Sequence, residues 1–155
     1  MKRISKSKRA NCTGTNSFIK VKKTKKSKKV KKTNKVKEIK WLKFPEQHDY
    51  PAALSYLKLI FNDKESERFV SDLKKAKMTE FKAKDIFRAS GLSLLGVSNS
   101  HVEKNLKKIK KGENMSPVLL VRDVNTSKII IADGYHRLCS VYKYGEDFMI
   151  PCKII

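Results

Sequence analysis

Ile129–Arg137 reads IIIADGYHR, and its two halves follow different rules. The β-branched run Ile129–Ile131 has the composition of a strand, and Asp133-Gly134 has that of a turn. From Tyr135 onward the pattern becomes helical. A strand that passes through a glycine turn into a helix leaves backbone N–H groups without intrahelical acceptors. It also sets the positive end of the helix dipole there, an arrangement that suits anions. Gly134 lets a ligand approach the backbone closely or lets the chain take a positive φ. Next to Tyr135, His136 can donate to a phosphate oxygen or act as an acid or base, and Arg137 offers a planar fork of donors. Asp133 is either a helix N-cap or a carboxylate for a magnesium ion that bridges phosphates. The junction therefore predicts phosphate binding at Gly134, Tyr135, His136 and Arg137.

The neighbouring stretches supply the rest of the sheet. Val118–Arg122 (VLLVR) and Lys128–Ala132 (KIIIA) flank the turn-like DVNTS at Asp123–Ser127, so a hairpin is expected. A helix should follow from about His136 to Tyr144, stopped by Gly145. Phe148–Ile155 (FMIPCKII) closes the chain as a strand, in which Pro151 fits only at an edge or at the start.

Helices precede the hairpin. His48–Pro51 reads as a helix start with Asp49 as cap, followed by apolar residues at Ala53, Leu54, Leu57, Ile60 and Phe61. A second helix should run from Asp63 to about Lys77, its acids early and its lysines late, with Phe69, Leu73 and Ala76 inward. A third covers Lys82–Ser90, with Ile86 and Phe87 inward and Gly91 as the stop. In Ser98–Gly112, Ser100 and Glu103 form a capping box, and Val102, Leu106 and Ile109 form the apolar stripe. The lysines of that helix read as a solvated face or, alternatively, as a second basic surface for nucleic acid. Trp41, Tyr50 and Tyr56 read as core. Together these elements make an α+β domain with a small mixed sheet.

Charge divides the chain of 155 residues. Met1–Lys40 holds 17 Lys or Arg and one acid, so +16 of the total charge of +22 lies in the first quarter. This segment, 1–40, has too few apolar residues to offset its ordering entropy and is expected to be a disordered Lys-rich tail. It would attract nucleic acid through counterion release, without sequence preference. The folded domain is expected over 41–155, with a helical lead-in at 41–78 and a core at 79–155. The sequence has no apolar signal core and no apolar window of membrane-spanning length. Cys12, Cys139 and Cys152 are odd in number and widely spaced, which points to a reducing compartment. The protein is expected to be cytoplasmic or nucleoid-associated, or nuclear in a eukaryotic cell. His48, His101 and His136 lack the spacing of a structural zinc site.

The segment 117–155 resembles the ParB/sulfiredoxin superfamily, the isolated ParB-like N-terminal ("ParB-like nuclease") domain. Gly112–Arg122 (GENMSPVLLVR) is similar to its first box, Ile130–Arg137 (IIADGYHR) to its second, and Ile150–Ile154 (IPCKI) to its closing strand. FKAKDIF at Phe81–Phe87 and NSHV at Asn99–Val102 are similar to its entry segment and pre-helix loop. The resemblance spans about 75 residues, roughly Thr79 to Ile155. It implies a nucleotide pocket for ATP or CTP with Mg2+, in which Gly134, His136 and Arg137 grip the phosphates. Asn99 and His101 would line the same cleft. Phosphoryl transfer or nucleotide hydrolysis is one implied activity, and Glu46, Asp49 and Glu103 are candidate bases by residue type alone. Tyr135 occupies the position of the sulfiredoxin nucleophile, so that chemistry is not expected. Cys139, one turn later, reads as a small buried residue. The helix-turn-helix and dimerisation domains of full-length ParB have no counterpart in this sequence. The competing expectation is a non-enzymatic nucleic-acid-binding or nuclease-like protein.

Overall fold

A computed structural model describes residues 38–96 and 99–155, so the Lys-rich tail expected over 1–40 lies almost wholly outside the described residues. The elements in order are α1 (Asp49–Leu57), α2 (Asp63–Lys75), β1 (Met78–Lys82), α3 (Ala83–Ser90) and α4 (Ser100–Lys111). They continue with β2 (Val118–Asp123), β3 (Lys128–Asp133), α5 (Tyr135–Tyr144) and β4 (Met149–Ile154). The class is α+β, with a four-stranded mixed sheet in the order β1-β4-β2-β3. Two pairings are antiparallel, β1 with β4 and β2 with β3, and β2 runs parallel to β4.

β2 explains the layering. Its run Val118–Val121 is buried throughout and alternates between two apolar clusters. Val118 and Leu120 pack with α3, α4 and α5 through Ile86, Val102, Ile109 and Leu138. Leu119 and Val121 pack with α1 and α2 through Tyr50, Leu57, Val70 and Leu73. A strand covered on both faces reads as an unbroken hydrophobic run, which is why VLLV shows no polar alternation. The buried Lys153 of β4 satisfies its ammonium on the Lys74 carbonyl at 2.6 Å. Among the described residues, no helix is long and apolar enough to cross a membrane.

The hairpin, the helix after DGYHR, the mixed sheet and the glycine stops at Gly91, Gly112 and Gly145 match the sequence reading. Several details differ. β1 was not expected, because MTEFK is largely exposed and lacks strand-like alternation. β4 is a central strand despite Pro151; pairing with β2 begins one residue later, at Cys152, so the missing N–H interrupts no bond to β2. α1 ends at Leu57, leaving Ile60 exposed. Asp49 sits inside the first turn of α1 rather than at its cap. α2 turns Ser66, Val70 and Leu73 inward, and Phe69 packs at the margin against Phe61. The cap of α4 is Asn99, whose side chain accepts from the N–H groups of His101 and Val102. Ser100 is therefore the first helical residue, and Glu103 pairs with Lys107 instead of closing a capping box.

Candidate functional site

A cleft of about 870 Å³ opens where three segments meet. The β3–α5 turn contributes Asp133 through Arg137. α4 contributes His101, Lys104, Asn105 and Lys108, a polar stripe at helical spacing. Glu46, His48, Ala52 and Tyr56 come from in and just before α1.

The turn is built around Gly134, the N-cap of α5, at φ 96°. An L side chain is strained in that conformation. A Cβ there would also stand 3.0 Å from Val118 Cγ2 and 3.1 Å from Arg137 Nη2. Leu138 is the first residue of α5 whose N–H reaches back, to the Gly134 carbonyl at 2.9 Å. The N–H groups of Tyr135, His136 and Arg137 form the orphan first turn.

Arg137 is engaged within the protein. Its Nη1 donates to Asp49 Oδ1 at 3.2 Å and its Nη2 to the Pro117 carbonyl at 3.3 Å. Nη2 also pairs with the Asp133 carboxylate. Asp49 is almost wholly buried and accepts from the Ser116 hydroxyl and from the Glu46 N–H at 2.9 Å. Two carboxylates thus flank one guanidinium. Burial, reinforced by Asp49, raises the pKa of Asp133 even though Arg137 opposes the shift. Asp133 is tied to Arg137 and is poorly disposed to hold a metal. Glu46, His48 and Asp49 bring ligand-type atoms within 4.8 Å of one another, but Asp49 is itself buried and paired with Arg137.

On the other side, the half-buried His136 lies against His101, with ring centroids 4.9 Å apart. Burial lowers the pKa of His136, and the neighbouring His101 lowers it further. Tyr135 donates its hydroxyl to the Ser93 carbonyl and packs edge-on against Phe87. Cys139 is fully buried, and burial pushes its thiol pKa up.

Gly134, Tyr135, His136, Arg137, Asp133 and His101 therefore share one cleft, whereas Asn99 caps α4 and does not line it. Of the candidate bases, Glu46 lines the cleft, Asp49 is buried in the Arg137 network, and Glu103 is bound to Lys107. Sequence reasoning missed several cleft residues, Asn105 among them. Tyr56, read as core, is exposed at the cleft; Lys104 and Lys108, read as a solvated face, line it. The spacing of His101, Lys104 and Lys108 at i, i+3 and i+7 was the available signal. Compared with known protein families, curated proteins and solved structures, the chain matches none.

Proposed function

We propose that this cleft binds the phosphates of a nucleotide, ATP or CTP, as the likeness to ParB/sulfiredoxin-type domains implies. The observation that carries the reading is the convergence of the α5 N-terminal turn with His136, His101, Lys104 and Lys108 in one cleft. The amide groups of Tyr135, His136 and Arg137 supply directional donors, and the side chains of the other wall supply charge. Arg137 acts as the brace that holds the turn against α1, because both of its terminal Nη groups already have protein acceptors, while its buried Nε has no hydrogen-bond partner. Mg2+ accompanying the nucleotide would find the exposed Glu46 carboxylate as its accessible protein oxygen, beside the phosphates themselves. Phosphoryl transfer or hydrolysis here would rest on positioning and charge neutralisation, with His136 as acid or base and Glu46 as the accessible carboxylate.

Titration with ATP and CTP in the presence of Mg2+, followed by thermal shift and calorimetry, tests the reading. His136→Ala and the pair Lys104→Ala, Lys108→Ala should abolish the shift while the protein remains folded. If neither nucleotide raises the melting temperature of the wild-type chain, the reading fails.

Nucleic-acid binding is the second reading. Lys104 and Lys108 have no ion-pair partner among the described residues, and the tail carries +16. Both regions would add to the salt dependence of binding to DNA or RNA. Deleting residues 1–37 separates their contributions: binding that survives belongs to the domain.

A further inference from the structure

The DGYHR turn supplies one imidazole, and a second meets it from another helix. His101 is the second residue of α4 and His136 the second of α5. Their rings lie 4.9 Å apart with planes tilted by 39°, and both line the cleft. Neither imidazole forms an ion pair among the described residues, in contrast to His48, which sits 3.6 Å from Asp49 and 3.8 Å from Glu46.

Several charged groups face this pair. From α4, Lys104 and Lys108 line the same wall. From α5, the Tyr135 ring lies 6.0 Å from His136, and Arg137 is held by Asp49 and Asp133. From β3, Asp133 favours the protonated form of His136, but less than burial and His101 oppose it. Glu46, His48 and Tyr56 complete the opposite side.

Resting on the reading that phosphate enters this cleft, we propose that His101 and His136 form a proton-loaded seat for a dianionic terminal phosphate. The seat selects such a group over a bridging phosphodiester. Two imidazoles this close oppose each other's protonation unless negative charge is supplied beside them. A terminal phosphate carries about −1.5 to −2 near neutral pH, whereas a diester carries a single charge. The dianion balances both imidazolium groups; the diester balances one. Filling the seat draws protons from water onto the two rings, up to one each, and no covalent bond changes.

With three histidines in the chain, the seat can be read ring by ring. Full-length 15N-labelled protein in EDTA would be titrated between about pH 5 and 8 while long-range 1H–15N spectra follow each imidazole. The arms are no addition, inorganic phosphate, and dimethyl phosphate as the diester. Phosphate should raise the midpoints of His101 and His136 by about one unit, the size of shift an adjacent opposite charge produces. His48 should move less, and dimethyl phosphate, which balances a single imidazolium, should raise at most one of the two cleft midpoints and by less than phosphate does. His101→Asn should weaken phosphate binding about tenfold and halve or abolish the shift of His136, with an unchanged melting temperature.

A shift of His136 with His101 unmoved overturns the proposal, as does an equal effect of dimethyl phosphate. A wild-type His136 shift in the His101→Asn variant overturns it too. These results would leave the nucleotide reading intact, because the turn amides of Tyr135–Arg137 would still respond to phosphate. No response anywhere in the cleft would remove both.

Discussion

On the α1 side of the cleft, polar groups satisfy one another; on the α4 side they face open space. Asp49, Ser116, Arg137 and Asp133 form a chain in which each charged group has a protein partner within hydrogen-bond reach. His101, Lys104 and Lys108 have no such partners among the described residues. Both sides look equally functional as a list of residue types. The difference separates a framework from a receptor: a buried, ion-paired network fixes geometry, and an unpaired basic wall leaves capacity for a ligand.

The largest effect should come from breaking the framework. Arg137→Ala strands the buried Asp49 and should cost about 3–5 kcal/mol of folding stability, read from denaturant midpoints. If stability is retained and only ligand binding is lost, the assignment of the two sides is reversed. Gly134→Ala combines a left-handed backbone with a tight approach to Val118 and Arg137. It should cost about 1–2 kcal/mol. On the basic side, the double variant Lys104→Ala, Lys108→Ala should keep stability within about 0.5 kcal/mol. Its nucleotide affinity should fall at least tenfold, about 1.4 kcal/mol.

The smallest effect is a dependence on pH. The folded-state pKa of His136 lies below its unfolded value, so the unfolded chain binds that proton more tightly. The stability attached to neutral His136 is complete above the unfolded pKa, about 6.5. It is lost as pH falls through that value toward the folded one. Comparing the wild type with His136→Gln at about pH 7.5 and 5.5 should show a smaller acid loss in the variant. An identical acid loss would remove His136 as a source of the pH dependence.

Much of the fold was legible because its signals are local. The hairpin, α5 and the ends of α3 and α4 follow from β-branched runs and glycine stops within a few residues. β1 was not legible: Met78–Lys82 becomes a strand only because β4, about 70 residues later, offers it an edge. The site divides the same way. The turn residues Gly134–Arg137 stand together in the sequence and in the cleft. The partner of Arg137 could not be read, since Asp49 lies 88 positions away and its local context resembled a helix cap. A free arginine and a tied one have the same sequence signature. Tyr56 reaches the cleft through the packing of α1, which spacing alone does not place, whereas His101 was expected there.

The most direct test is a crystal structure with a non-hydrolysable nucleotide triphosphate. The account predicts terminal phosphate density against the first-turn amides of α5, within reach of His136 and the α4 lysines. The ion pair of Arg137 with Asp49 should be intact. Phosphate seated on the Arg137 guanidinium, with Asp49 released, would contradict it.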